Sequence, residues 1–250
     1  MIEAKNINKS FNDTKVLDNF SYKFETGKIN LIIGKSGSGK TIAVKCMLGL
    51  FQVDSGAVYF DSRDFTNTAG DSRKEIRKEI GMVFQGGALF DSMTIEDNIM
   101  FPLKMSSGMS LSEMKNRVNF CLNRVDLKNV NHLFPAELSG GMQKRVAIAR
   151  AIALKPKYLF CDEPNSGLDP STATVIDNLL QEITYEYNIT TVINTHDMNS
   201  VMQIGDNIVF IQKGKKEWEG ERNTFLNSDN KSLNEFIFSS TLFRKLKGLG

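Results

Sequence analysis

An apolar run, Ile29–Ile33, leads straight into Gly34-Lys35-Ser36-Gly37-Ser38-Gly39-Lys40-Thr41, and beyond it Ile42, Val44, Met47, Leu48 and Leu50 fall at helical spacing over residues 40–50. Strand, glycine loop and helix in this order match G-x-x-x-x-G-K-[ST] in full, in the context the motif requires. Glycines let the backbone wrap closely enough to aim N–H groups at phosphate oxygens, and the helix N-terminus adds positive potential. Gly34, Ser36, Gly37, Ser38 and Gly39 thus form the cradle. Lys40 is expected to hold the β- and γ-phosphates, and the Thr41 hydroxyl to ligand Mg²⁺, an ion that prefers octahedral oxygen coordination.

A second apolar run, 158–161, ends in Asp162-Glu163. Adjacent strand side chains face opposite sides, so the two carboxylates are expected to have different tasks. Asp162 is assigned to Mg²⁺, directly or through water, and Glu163 to the attacking water as general base. The glycine loop and the pair together specify a P-loop NTPase, a class whose members serve many functions.

The rest of the chain sets limits. Its 250 residues suffice for one α/β domain with insertions. With 31 Lys and Arg against 29 Asp and Glu, the net charge of +2 gives no general field for nucleic acid, and no nucleic-acid partner is expected. Cys46, Cys121 and Cys161 show no metal-ligand or disulfide spacing, which fits a reducing cytosol. Residues 1–9 alternate apolar and polar side chains, unlike a signal peptide, and no run reaches the roughly 18 to 20 apolar residues of a membrane span. Any membrane role is therefore expected to be peripheral. Residues 1–33 read as short strands with turns at Asn12-Asp13 and Gly27, followed by a helix over 71–78 and a strand over 80–84. Residues 86–150 turn mainly helical, most clearly at 111–125, with Pro102 and Pro135 interrupting. Strands at 158–161, 190–194 and 207–211, separated by helical stretches, suit a parallel sheet.

Leu138-Ser139-Gly140-Gly141-Met142-Gln143, about 20 residues before the Asp162 strand, resembles the LSGGQ signature of ATP-binding cassette (ABC) ATPases, with Met142 where the family more usually has Gln. In the same order, Gln85 resembles the family's Q-loop, Ser166-Gly167-Leu168-Asp169 its D-loop and His196 its switch histidine. The resemblance implies a RecA-like P-loop core with a parallel sheet (1–85 and 151–228), an N-terminal antiparallel β-subdomain, an inserted helical subdomain (86–150) and a tail (229–250). It implies ATP and Mg²⁺ as cofactors and a head-to-tail homodimer in which Ser139, Gly140 and Gly141 face the γ-phosphate held by the second copy. Asp169 joins that nucleotide site, Gln85 contacts Mg²⁺ or the water, and His196 hydrogen-bonds the γ-phosphate. Phe11 stands where the family stacks an aromatic on adenine, with Val16 adding apolar contact; core packing is the alternative for Phe11.

The wording of residues 86–94 and 162–170 further resembles ATPases of the Mla and Mce-associated branch, which move phospholipids or other lipids. That implies transmembrane permease subunits, an MCE-type lipid-shuttle subunit and a place at the cytoplasmic face of the inner membrane. Phe90 and Met93 either line a docking groove or pack internally. Two rivals stay open, an importer of amino acids or other small solutes and a soluble ABC ATPase. In the tail, Leu233, Phe236, Ile237, Phe238, Leu242, Phe243 and Leu246 lie among Arg244, Lys245 and Lys247. Such a helix suits packing on its own core, a partner contact or a membrane surface.

Overall fold

The structure, a computed structural model, describes residues 1–238 and resolves into two compact units, one of residues 1–68 with 192–238, the other of 69–191. In chain order the first stretch carries β1 (Ile2–Phe11), β2 (Thr14–Phe24), β3 (Ile29–Ile33), α1 (Lys40–Met47), β4 (Ser55–Phe60) and β5 (Arg63–Asp64). The second unit carries α2 (Gly70–Lys78), β6 (Ile80–Val83), α3 (Ile95–Ser106), α4 (Leu111–Arg124), a 3₁₀ turn at Pro135–Glu137, α5 (Gly140–Ala151), β7 (Tyr158–Asp162) and α6 (Pro170–Glu186). Next come β8 (Thr190–Asn194), α7 (Met198–Ile204), β9 (Asn207–Gln212), β10 (Lys215–Glu221), α8 (Arg222–Phe225) and α9 (Lys231–Ile237).

In the first unit, β1 and β2 form an antiparallel hairpin that turns at Asn12, and the sheet runs β2-β1-β4-β5. These strands are long where the sequence suggested short ones. Bulges at Asn6 and Asn19, both at positive φ, break the alternation without ending the pairing. Asn6 N–H donates to Ser21 Oγ at 2.8 Å, so the bulged backbone is still satisfied. Ile2, Ala4, Ile7, Leu17, Phe20 and Phe24 supply the buried face.

β3 is buried at every residue and runs parallel to β9, with β10 antiparallel on the far side of β9. Burial of Ile29, Leu31, Ile32 and Ile33 contributes up to about 1.5–3 kcal/mol each, enough to offset the ordering of so short a strand. Asn30 is tolerated there because its amide donates to the Glu25 and Lys28 carbonyls and its oxygen accepts from Glu25 N–H. The strand runs directly into Gly34.

The second unit packs α3, α4 and α5 together and sets β6 parallel to β7. α4 starts in a capping box, Ser110 with Glu113, worth about 1 kcal/mol. Pro102 lies inside α3 and does not end it, contrary to the sequence reading; the helix runs on to Ser106. Asn98, fully buried, donates to the carbonyls of Phe90, Met93 and Thr94 and accepts from Phe90 N–H, which pins the segment before α3. In the tail, Leu233, Phe236 and Ile237 are buried, Phe236 stacking on Phe210 at 5.3 Å. That part packs on its own unit. Leu242, Phe243, Arg244, Lys245, Leu246 and Lys247 lie outside the described residues.

Candidate functional site

In the first unit the glycine loop is shaped by its backbone. Gly34 has φ 152°, and a Cβ there would lie 2.3 Å from the Ile211 carbonyl oxygen. Gly39, at φ 109°, caps α1, and a Cβ would lie 2.8 Å from the Val16 carbonyl oxygen. Only glycine meets both demands. Ser38 N–H donates to the Lys35 carbonyl at 3.1 Å and Gly214 N–H to the Ser38 carbonyl at 2.9 Å, closing the turn. The Ser38 hydroxyl is buried with no hydrogen-bond partner among the described residues, while Ser36 and Gly37 are exposed.

Lys40 is 6% exposed, and its ammonium donates to the carbonyls of Gly34 at 2.8 Å and Lys35 at 3.0 Å. The charge thus arches back over the loop. Thr41 Oγ1 accepts from Asn194 Nδ2 at 3.1 Å, an anchor that sequence reasoning missed. Its signal was an asparagine directly after Val192 and Ile193, fully buried at the end of β8. Val16 is half-buried and meets the loop through its backbone. Phe11 is exposed, its ring edge-on to Phe51 at 5.2 Å, so plain core packing does not describe it. His196 is exposed just beyond β8.

The second unit holds the carboxylates. β7 ends at Asp162, and Glu163 follows at φ 45°, so strand alternation does not set its direction as the sequence reading assumed; a left-handed turn does. Gln85 Nε2 donates to Glu163 Oε2 at 3.0 Å and to Ser166 Oγ at 3.3 Å, joining residues 78 and 81 positions apart. Ser139 caps α5, accepting from Met142 N–H at 3.3 Å, and both Ser139 and Gly140 are exposed. A Cβ on Gly141 would lie 2.6 Å from the Thr172 methyl, whereas one on Gly140 would meet only Leu168 at 3.8 Å.

Asp169 caps α6. Its carboxylate accepts from the hydroxyls and N–H groups of Ser171 and Thr172 at 2.5–3.1 Å, which holds it well below the usual carboxylate range. Lys144, not singled out from sequence, is 7% exposed and donates to the Gln85 carbonyl. No signal marked it, since a lysine on a helix is ordinarily solvated.

Of the metal donors named from sequence, Thr41 belongs to the first unit and Gln85 and Asp162 to the second. A hydroxyl, an amide and a carboxylate offer hard oxygen ligands only. Among the described residues no cluster of His, Cys, Asp and Glu could hold an ion by itself. Such donors fit Mg²⁺, which commonly completes its shell with water and nucleotide phosphates. The three cysteines are buried and free, and burial pushes Cys46 and Cys121 up to about 11.

A further feature of the second unit is an apolar cavity of about 410 Å³, lined by Phe84, Phe90, Phe101, Pro102, Arg150 and Leu154 among others. Phe90 and Phe101 lie 5.0 Å apart and both are exposed.

The family model for ABC transporters matches residues 17–166. The chain is 42% identical over 228 residues to the methionine import ATP-binding protein MetN of Clostridium acetobutylicum, covering 91% of this chain and 71% of that protein. It is 34% identical over 236 residues to the probable ribonucleotide transport ATP-binding protein mkl of Mycobacterium leprae, covering 94% and 68%. Among solved structures it resembles a dimeric post-hydrolysis state of the cassette MJ0796 bound to ADP and Pi (TM-score 0.80, 33% identity, covering 89% of this chain and 99% of that one). It also resembles cbiO1 of Clostridium perfringens, part of the cbiONQ ABC transporter complex (TM-score 0.84, 26% identity, 98% of each). With its glycine loop, signature and carboxylate pair, the chain belongs to the ABC transporter family as an ATP-binding, ATP-hydrolysing cassette with a P-loop α/β fold that takes ATP with Mg²⁺.

Proposed function

We propose that two copies work head to tail beneath transmembrane permease subunits at the cytoplasmic face of the inner membrane, and that ATP cleavage drives the movement of lipid, most simply phospholipid. In this reading the loop from Gly34 to Thr41 cradles the phosphates. Lys40 turns its ammonium from the loop carbonyls to the β- and γ-phosphates. Mg²⁺, held by Thr41, Asp162 and Gln85 together with the nucleotide, would neutralise charge on the phosphate oxygens. Glu163 aligns a water for attack on the γ-phosphorus as the bond to the β-phosphate oxygen breaks, and takes the water's proton. His196 donates to the γ-phosphate, and Phe11 with Val16 meets adenine. Ser139, Gly140, Gly141 and Asp169 complete the site of the other copy.

The observation that carries the reading is the exposed start of the 12-residue helix α5 at Ser139 and Gly140; in this reading it offers a hydroxyl and N–H groups to the nucleotide of the other copy. ATP bridging two copies makes contacts that ADP lacks, so hydrolysis loosens the pair. The apolar cavity beside Phe90 suits an amphipathic cytoplasmic helix of a permease, and among the described residues no helix is long and apolar enough to cross a membrane itself. What supports lipid cargo, and an MCE-type shuttle subunit with it, is the wording of residues 86–94 and 162–170. A second reading, amino-acid import, is favoured by the 42% identity to a protein named for methionine import.

The two separate on the native complex. Tagged chain is extracted gently from membranes, and co-purifying proteins and lipids are identified by mass spectrometry. A permease with a lipid-shuttle subunit and bound phospholipid is expected. A solute permease with a binding protein would move the assignment to import, and soluble partners alone would end the transport reading.

A further inference from the structure

Lys144 sits one turn into α5, past the exposed Ser139 and Gly140, and points inward. The residue is 7% exposed, and its ammonium donates to the main-chain carbonyl of Gln85. Burial lowers its pKa, with Glu163 pulling the other way. A buried ammonium is costly unless it is well paired, so the contact is specific rather than incidental. Six residues further along the same helix, Arg150 donates to the carbonyls of Gly87 at 2.7 Å and Ala88 at 2.8 Å. Between these two cations, Ala147 packs 3.7 Å from where a Cβ on Gly87 would stand. Residues 85–88 are therefore strapped along α5 by their backbone. The Gln85 side chain remains directed at Glu163 and Ser166.

We propose that Lys144 is a positioning residue which makes the signature helix and the base one mechanical unit: the ammonium fixes the Gln85 backbone, and the Gln85 amide in turn aims Glu163. A displacement of the α5 N-terminus is then transmitted through Lys144 to Gln85 and re-aims the carboxylate. Arg150 holds residues 87 and 88 but touches neither Gln85 nor Glu163, so it secures the strap without aiming the base. This rests on the reading of Glu163 as the base.

The test compares wild type, Lys144→Met and Lys144→Arg as full chains in three measurements: ATP affinity, steady-state turnover, and hydrogen exchange of the peptide spanning residues 84–90. Lys144→Met keeps an unbranched side chain one atom shorter and removes the donor. It is expected to lower kcat by about 10- to 100-fold with KM for ATP within about twofold, and to speed exchange in that peptide at an unchanged melting temperature. Lys144→Arg, which can still donate to the carbonyl, is expected to recover turnover to within about fivefold of wild type. Unchanged turnover and exchange in Lys144→Met would overturn the proposal. So would a fall in kcat that Arg does not rescue and that follows a lowered melting temperature, since that is a packing defect. If wild type itself bound no ATP, the functional reading above would fail, while the exchange comparison would still decide whether Lys144 holds the strap.

Discussion

The phosphate loop and the signature region, both of which the proposed function sets against phosphate, are built differently. In the first unit the shape is set by main chain: Gly34 and Gly39 at positive φ, carbonyls of Ile211 and Val16 where side chains would have to go, and the Ser38–Lys35 and Gly214–Ser38 backbone bonds. In the second unit it is set by side chains: Gln85 to Glu163 and Ser166, Lys144 to Gln85, Asp169 to Ser171 and Thr172. A backbone cradle admits no added atom at Gly34 or Gly39, where main chain stands in the way. A side-chain network tolerates substitution at many points and can be re-aimed, as a switching element must be.

The largest expected effects break that contrast from either side. Gly34→Ala forces a Cβ against the Ile211 carbonyl in a left-handed backbone, a clash that no rotamer relieves. It should cost about 2–4 kcal/mol of stability, read by denaturant melts, and abolish ATP binding. Glu163→Gln alters one atom of the network, so the fold and ATP binding should survive while kcat falls by about 10²- to 10⁴-fold. If Gly34→Ala bound ATP normally, the loop would be more plastic than its carbonyls suggest. Normal turnover in Glu163→Gln would remove it as base.

The same contrast explains what was readable in the sequence. The glycine loop is local as a motif, its residues falling within eight positions, so spacing located it, even though the carbonyls of Ile211 and Val16 that exclude side chains from Gly34 and Gly39 come from elsewhere in the chain. Asp162-Glu163 was visible as a local pair at a strand end, whereas Ser139 to Gly141 stood out through its resemblance to the family signature. Lys144 and Gln85 are 59 residues apart, and nothing in the residues around either one encodes the contact. Asn194 holds Thr41 across 153 residues. The misread elements were those where tertiary context overrides a local rule: Pro102 accommodated within α3, β1 and β2 continued through asparagine bulges, and Glu163 turned off the strand by a left-handed residue.

A smaller effect separates the two signature glycines. Gly141→Ala drives a methyl to 2.6 Å from the Thr172 methyl, and Thr172 is held by its hydroxyl bond to Asp169, so about 1–3 kcal/mol of stability should be lost. Gly140→Ala meets only ordinary contact at 3.8 Å, and alanine is the better helix former, so the melting temperature should hold or rise. If turnover nevertheless falls in Gly140→Ala, the obstructed surface lies outside its own unit, as the head-to-tail arrangement requires. Full activity would mean that nothing approaches Gly140.

The smallest effect concerns the cap on which Thr172 depends. The bonds from Ser171 and Thr172 depress the Asp169 pKa in the folded state, so the carboxylate stabilises the fold above the unfolded value of about 3.9. That contribution disappears as pH falls below this value and through the folded pKa. Asp169→Ala should therefore melt below wild type at pH 7, and the gap should narrow steadily once pH drops under about 4. A gap that stayed constant with pH would show that the charge contributes nothing and that the cap works by shape. Combining Asp169→Ala with Gly141→Ala sharpens this further. Freed from Asp169, Thr172 can rotate its methyl away, so the double variant should lose less than the sum of the singles, with the coupling read directly from the melts.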